Sequence, residues 1–280
     1  MNKFKYQLAK KGKIICAGCG KKTAVQYIET ETGNEVGGAM RCDREQNCGY
    51  HKKPEINDEI FISKFEPKNI ETSYIGLEVL EKYHLASSKS NFMKFLLSKF
   101  NKSQVFEVQQ KYFLSDLNSQ TIFWQIDQFE RIRSGKIMAY NSTTGKRIKD
   151  EGGKAQINWM HSFLKLSNFN LKQCLFGLHL SAELKNLPIG IVESEKTAVI
   201  MSIAEPRLLW MACGSLNGFK SEYLAPLKFR KIIAFPDKGC FEQWQTVADL
   251  LNEKGFQISV NDVLESNDNA KIGDDIADLL

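Results

Sequence analysis

Two sets of residues in this chain have types and spacings that could do chemistry: a group of early cysteines and several carboxylates near the ends of apolar runs. Cys16 and Cys19 are separated by two residues in a glycine-containing turn, and two alternating runs lead from there to Cys42 and Cys48. A hairpin with a cysteine pair at each end is typical of a tetrahedral four-thiolate zinc site. The sequence therefore predicts a structural Zn²⁺ at these four cysteines.

Two alternatives stay open at this site. The four cysteines could be free thiols, or His51 could replace Cys48 as the fourth ligand, because the second pair is more widely spaced than the first. Zinc binding contributes about 10–16 kcal/mol in zinc-finger peptides, so the metal would largely fold so small a region. Such a cluster is expected in a reducing compartment, where cysteines bind metals more often than they form disulfides.

The carboxylates stand where apolar runs end. Pro188 to Ala198 is typical of a strand, a tight turn and a helix, with Glu193 at the carboxyl end of the strand. Asp237 follows the apolar run Lys231 to Phe235 in the same way. Open α/β sheets place their chemistry at this end of the strands, so we expect both carboxylates at one sheet edge. The alternative is that Glu193 only favours the first turn of the helix.

Further groups are expected at the same edge. Asp274 and Asp275 lie in an acidic tail, and carboxylate oxygens are ligands suited to Mg²⁺ or Mn²⁺. Such a metal orients phosphates in phosphoryl transfer. Lys196, at the start of the helix, and Gly214, in a loop of small residues, are expected to contact phosphates. The sequence therefore predicts a metal and nucleotide site built from distant segments.

The elements that position these groups alternate in type over the last ninety residues. The predicted strands are Ile189–Val192, Leu208–Ala212, Lys231–Phe235 and Phe256–Val260, and the predicted helices are Glu195–Ile203, Ser221–Leu227 and Phe241–Asn252. Apolar strands that alternate with helices predict a parallel sheet covered on both faces.

The first half of the chain is expected to be mixed. Helical periodicity predicts helices over 71–85, 90–99 and 103–112, after a polar linker over 53–68. Residues 120–149 contain three short alternating runs, which predict a meander, and residues 156–184 are expected to be helical.

Six basic residues occur within 131–149, a segment without an acid. They are Arg131, Arg133, Lys136, Lys146, Arg147 and Lys149. With Trp124 and Tyr140 in the same predicted sheet, they favour a surface that binds the nucleic-acid backbone and stacks on bases. An ordinary solvated sheet face is the alternative.

Composition is that of a globular protein, with 42% hydrophobic and 25% charged residues and a net charge of +5. The charge is uneven, because residues 1–188 carry 29 basic and 19 acidic residues and residues 189–280 carry 9 and 14. A basic front half favours a polyanionic partner. No apolar run reaches membrane-spanning length and no signal-peptide core is present, so we expect a cytoplasmic protein without a membrane partner.

Three segments together resemble the toprim domain of bacterial and phage primases. They are Cys174-Leu-Phe-Gly-Leu-His-Leu, Ile-Gly-Ile-Val-Glu193-Ser-Glu-Lys-Thr-Ala and Ile-Ile-Ala-Phe-Pro-Asp237, and the Gly-Asp-Asp-Ile-Ala-Asp-Leu-Leu ending is similar to a segment that follows such domains. The resemblance covers 174–280, and the cysteine region adds the zinc ribbon that precedes primase cores. The whole looks like a primase-related protein of a bacterial mobile element or phage.

The resemblance implies an α/β fold with a zinc ribbon over 1–55, a helical subdomain over 69–115, a basic β-rich region over 116–170 and a C-terminal toprim domain, a Rossmann-like parallel sheet, over 171–280. It also implies Glu193 as general acid/base and Asp237 as a Mg²⁺ ligand. One departure is Gly239, where the family has a second aspartate; Asp274, Asp275 or Glu242 could compensate.

The expected function is Mg²⁺- or Mn²⁺-dependent nucleotidyl transfer on a single-stranded DNA template. Nucleotides and nucleic acid are then the partners, and a separate helicase would unwind the duplex, because these residues contain no P-loop. Two alternatives are a non-catalytic DNA-binding replication accessory with a degenerate site, motivated by Gly239, and a toprim nuclease.

Overall fold

The computed structural model describes residues 5–44, 48–54, 71–84, 89–153 and 155–280. Contacts within the chain divide it into two compact units, Met1–Lys68 and Asn69–Leu280. Most of the linker expected over 53–68 lies outside the described residues. Within the described ranges, no helix combines the length and apolar character needed to cross a bilayer.

The first unit is an antiparallel sheet. Its strands are β1 (Tyr6–Leu8), β2 (Ile14–Ile15), β3 (Lys22–Glu29), β4 (Glu35–Cys42) and β5 (His51–Lys52). The order is β1-β3-β4-β5, and β2 pairs with β3. The tight connection between β3 and β4 uses Gly33 at a φ of 75°, a conformation that glycine adopts without strain. The predicted hairpin between the cysteine pairs is therefore present.

The second unit begins with three helices, α1 (Leu77–Tyr83), α2 (Asn91–Lys99) and α3 (Lys102–Lys111). Ser90 Oγ accepts a hydrogen bond from the backbone amide of Met93 and caps α2. The prediction of helix over 71–85 was too long at its start. The chain is extended before α1 because Ile75 forms a β-bridge with Ile132.

An antiparallel sheet follows, with β6 (Ser115–Leu117), β7 (Gln120–Ile126), β8 (Ile132–Met138) and β9 (Ile157–Trp159) in sequential order. The third predicted run of the meander forms only isolated bridges, Tyr140 with Arg147 and Lys149 with Ala155.

The prediction of helix over 156–184 was wrong. After β9 only one turn is α-helical, α4 (Met160–Phe163), and a 3₁₀ turn forms later at Leu178–Ser181. Lys165 and Asn168 have positive φ angles of 54° and 56°, which ends the helix. Asparagine and serine near these positions favour turns over helices, and this preference outweighs the apolar spacing.

The last part of the chain is the predicted parallel sheet. Its strands are β10 (Ile189–Val192), β11 (Leu209–Ala212), β12 (Lys231–Ala234) and β13 (Gln257–Val260), in the order β11-β10-β12-β13. Every neighbouring pair is parallel. The intervening helices are α5 (Glu195–Ala204), α6 (Ser221–Leu224) and α7 (Phe241–Asn252). The predicted alternation of strands and helices is thus confirmed.

One apolar cluster joins the helices, the antiparallel sheet and the parallel sheet of the second unit. It includes Phe92 of α2, Phe123 of β7 and Ile191 of β10. The buried Tyr112 hydroxyl donates to Trp210 O at 2.7 Å, which fixes the end of α3 against β11. The continuous core therefore holds residues from both sheets in fixed positions around the site.

Candidate functional site

The four cysteines of the first unit lie together. All four Sγ atoms are within 4.8 Å of one another, and Cys16 Sγ is 3.7 Å from Cys48 Sγ. Zinc–sulfur bonds of about 2.3 Å in a tetrahedron place thiolates about 3.8 Å apart, so the arrangement fits Zn²⁺. A side chain at Gly18 would clash, since its Cβ would lie 2.7 Å from Tyr50 Cβ, which explains the glycine between the first pair.

Neighbouring groups favour the thiolate form of Cys19 and Cys42. At Cys48 the Tyr50 backbone amide lowers the pKa, but burial and contacts with the other three cysteines outweigh it and raise the pKa to about 11. The backbone amide of Lys21 lowers the pKa of Cys19 to about 6. Thr23 Oγ1 is 3.3 Å from Cys42 Sγ, a supporting contact that sequence reasoning missed. His51 is not part of the cluster, because its Nε2 shares a 2.8 Å hydrogen bond with the Tyr27 hydroxyl.

The carboxylates of the second unit follow adjacent strands. Glu193 comes directly after β10, and Asp237 comes three residues after β12. The strands β10 and β12 are hydrogen-bonded neighbours in the sheet. The loop that contains Gly214 follows β11 on the other side of β10. Because the three strands are parallel, all three connections leave from the same sheet edge.

The loop after β11 holds Glu193 through its backbone. Gly214 N donates to Glu193 O at 2.8 Å, and the backbone amide of Leu216 opposes the rise in the pKa of the Glu193 carboxylate. The loop is tight, since a Cβ at Gly218 would lie 2.1 Å from Cys213 O. The loop of small residues predicted to approach a ligand thus contacts the backbone of Glu193.

The two carboxylates have raised pKa values. Burial raises the pKa of Glu193, and nearby Arg147 and Lys136 oppose the shift. Burial, together with repulsion from Glu193 and Asp275, raises the pKa of Asp237 to about 7. The positive charge of Arg147 opposes the rise in pKa at both carboxylates more than any other charge does. This exposed arginine therefore lies near the sheet edge. Acidic groups that repel one another can bind a cation between them, and an arginine beside them can bind a phosphate.

Lys136 is placed differently from the expectation. Its Nζ lies 3.0 Å from Glu195 Oε1 and 2.9 Å from Gly214 O, and the side chain is buried. The basic segment therefore does not present Lys136 as an exposed phosphate contact. Lys146, Arg147 and Lys149 are exposed.

Arg131 and Arg133 both pair with Asp127, which lies just before the acid-free segment. Their Nε atoms are 3.0 and 2.9 Å from Asp127 Oδ2. The guanidinium of Arg131 lies over the rings of Tyr74 and Phe129, at 4.7 and 4.9 Å. Sequence reasoning missed these contacts because Asp127 lies outside the acid-free segment that contains both arginines.

The expected stacking residues were wrong. Trp124 and Tyr140 are buried in the core, whereas Phe129 is 65% exposed beside Arg131. The signal for Phe129 was its place in the β7–β8 turn, where an apolar side chain has no core to face.

The acidic tail is used by the fold. Asp275 caps the 3₁₀ turn Ile276–Leu279 and accepts a 2.7 Å hydrogen bond from the Thr197 hydroxyl. Lys196 Nζ lies 3.4 Å from Asp275 Oδ2. Asp274 Oδ2 accepts from Lys271 N at 2.7 Å. Near the missing second aspartate, Glu265 Oε2 accepts from Gly239 N at 2.9 Å, a carboxylate that sequence reasoning did not identify.

The carboxylates at the sheet edge do not enclose a metal ion, but they suit a hard cation that is held weakly. In the part of the chain that the structure describes, only the cysteines bring three or more ligand atoms of His, Cys, Asp or Glu within 4.8 Å. Mg²⁺ is commonly held by one or two carboxylates and keeps several waters, so Glu193 and Asp237 suffice as protein ligands.

Fold and sites together define a mixed α/β protein with an N-terminal zinc ribbon and a C-terminal parallel sheet. Two protein families match parts of the chain, and the first of them agrees with the zinc ribbon. The zinc beta-ribbon finger family matches residues 4–60, and a family described as a domain of unknown function, DUF6371, matches residues 90–238. The chain therefore belongs to the DUF6371 family. No curated protein matches it.

Several solved primase structures are similar to the chain. The RNA polymerase domain of Mycobacterium tuberculosis primase DnaG is 14% identical, with 72% of this chain and 76% of that chain covered and a TM-score of 0.48. The primase fragment of the bacteriophage T7 primase-helicase is 14% identical, with 93% and 91% covered and a TM-score of 0.43. A DNA primase domain from Pseudomonas aeruginosa is 14% identical, with 66% and 57% covered and a TM-score of 0.36.

Proposed function

We propose that the chain is a primase-like protein of toprim type, from a bacterial mobile element or phage, that transfers nucleotides on a single-stranded DNA template. The proposal rests on the placement of Glu193 and Asp237 after adjacent parallel strands, where the positive charge of Arg147 acts on both carboxylates. Burial and mutual repulsion raise the pKa of both groups, and a bound divalent cation would relieve that repulsion.

Each group has a distinct role in this proposal. Glu193 and Asp237 would hold Mg²⁺ or Mn²⁺, which when bound stabilises charge on the nucleotide phosphates. Glu193, with its raised pKa, is suited to act as the general acid/base. Arg147 and Lys146, both exposed, would bind phosphates on the open side of the edge.

The template would be held away from this edge. Arg131 and Phe129 offer a cation and an exposed ring in one turn, and the zinc ribbon adds a second surface for nucleic acid. These 280 residues contain no P-loop sequence, so unwinding would need a helicase outside them.

Replacing Glu193 by glutamine tests the assignment, because the change keeps the shape and removes the charge. We expect synthesis from labelled nucleotides on single-stranded DNA to fall by about 100-fold or more, while DNA binding and folding stay unchanged. Glu253→Gln, at the exposed end of α7, is the matched control. An unchanged rate in Glu193→Gln would remove the proposal.

One observation favours a second candidate, a non-catalytic DNA-binding accessory protein. Gly239 stands where the resemblance expects a carboxylate, and the nearby Glu265 is engaged with its backbone. A wild-type protein that binds single-stranded DNA but neither binds Mg²⁺ nor transfers nucleotides would support this candidate.

A further inference from the structure

Lys136 lies on β8 of the antiparallel sheet, but its ammonium group contacts the first turn of α5 and the loop after β11. Its Nζ is 3.0 and 3.1 Å from the two carboxylate oxygens of Glu195 and 2.9 Å from Gly214 O. The Lys136 and Glu195 side chains are only 8% and 2% exposed. A lysine ammonium has three N–H donors, and these three contacts use all of them. Lys136 therefore has no donor left for a phosphate.

The contact with Gly214 continues to Glu193. Gly214 N donates to Glu193 O at 2.8 Å, which ties the loop to the residue that carries the carboxylate. Gly214 has a φ of 81°, and a Cβ there would lie 3.3 Å from Glu195 Oε1. The glycine thus lets the loop approach the buried ion pair closely.

We propose that Lys136 is a positioning residue that fixes the Gly214 loop and, through it, the Glu193 carboxylate. Glu195 balances the buried charge and directs the ammonium toward the loop. The antiparallel sheet therefore sets the geometry of a group that belongs to the parallel sheet. The catalytic consequence rests on the proposed function, whereas the positioning of the loop can be measured without any activity.

The test compares Lys136→Met with the double variant Lys136→Met/Glu195→Met. The single variant leaves Glu195 buried without its partner and is expected to lose stability. The double variant removes both charges, and a buried pair replaced by apolar side chains of similar volume commonly regains stability. Lys231→Met, an exposed lysine on β12, is the control.

Hydrogen exchange and kinetics separate positioning from charge balance. In the double variant we expect the Gly214 amide, which donates to Glu193 O, to exchange roughly 10- to 100-fold faster than in wild type, although the melting temperature recovers. We expect kcat for nucleotidyl transfer to stay about 10- to 100-fold low, with the nucleotide KM within about twofold, because the carboxylate is misplaced rather than removed.

Recovery of wild-type Gly214 exchange and kcat in the double variant would overturn the proposal, because Lys136 would then serve charge balance alone. If the wild-type protein transfers no nucleotides, the proposed function fails, and the Gly214 exchange decides the positioning role by itself. Wild-type exchange in the double variant overturns that role, and accelerated exchange supports it.

Discussion

The two units of this chain are stabilised by different means. In the described part of Met1–Lys68, the buried apolar cluster consists of Cys16, Ala24 and Cys42, two of which are zinc ligands. Asn69–Leu280 instead buries a continuous cluster of large side chains, such as Phe92 and Trp210, each of which contributes about 1.5–3 kcal/mol.

The difference shows what each unit can tolerate. A unit without a core depends on its metal, so its cysteines are structural groups first. A unit with a large core has stability to spare for unfavourable electrostatics, such as the repelling carboxylates after β10 and β12. The first unit is therefore expected to be sensitive to chelation and the second to pH.

The largest expected effect follows from removing a zinc ligand. Cys42→Ala should abolish zinc binding, and because binding supplies about 10 kcal/mol or more, the first unit should unfold while the second keeps its melting temperature. Zinc content by elemental analysis and proton NMR of the ribbon amides measure this. Cys240→Ser, a cysteine outside the cluster, is the control. A folded, zinc-free first unit would break the contrast between the units.

A smaller effect is expected at Asp127, which accepts bonds from Arg131, Arg133 and two backbone amides. Burial opposes its ionised form, but these bonds outweigh burial and lower the pKa of Asp127. Asp127→Ala should cost about 2–4 kcal/mol of unfolding free energy at pH 7, measured by urea denaturation. Its contribution is present above pH 4 and is lost as the pH falls through the lowered pKa. Asp268→Ala, on the surface, should have no effect.

The smallest effect concerns Asp237, whose pKa is raised to about 7. The unfolded state releases this proton near pH 4 and the folded state near pH 7, so the stability of the protein falls as the pH rises from about 4 to about 7 and is level above that. Asp237→Asn should therefore stabilise the Mg²⁺-free protein by about 1–3 kcal/mol at pH 8 and by less at pH 5. Thermal unfolding at both pH values measures the difference. An equal gain at pH 5 and pH 8 contradicts the raised pKa.

Much of the fold was predictable from local pattern. The cysteine spacing identified the zinc ligands, and the apolar runs near 189–192, 209–212, 231–234 and 257–260 identified the parallel sheet, because fully buried strands have continuous apolar sequences. The parallel connection of β10 and β12 then placed Glu193 and Asp237 at one edge. These inferences needed only short segments and one rule of topology.

The rest depended on contacts between distant segments. Lys136 is one of six basic residues in its segment, and nothing nearby indicates that it is buried against Glu195, 59 residues later. Asp127 was overlooked because it lies outside the acid-free segment that contains its arginine partners. Glu265 accepts a hydrogen bond from Gly239, which is 26 residues away in the sequence. Helical spacing over 156–184 was misleading because local turn preferences ended the helix after one turn.

The most direct test of the sheet edge is titration of the zinc-loaded protein with Mg²⁺ and Mn²⁺ by calorimetry at pH 8, repeated on Asp237→Ala. We predict specific binding to wild type, because Asp237 is then largely ionised and its negative charge attracts the cation, and we predict loss of binding in the variant. Binding of neither metal to wild type, or equal binding to both proteins, would contradict a metal site at Glu193 and Asp237.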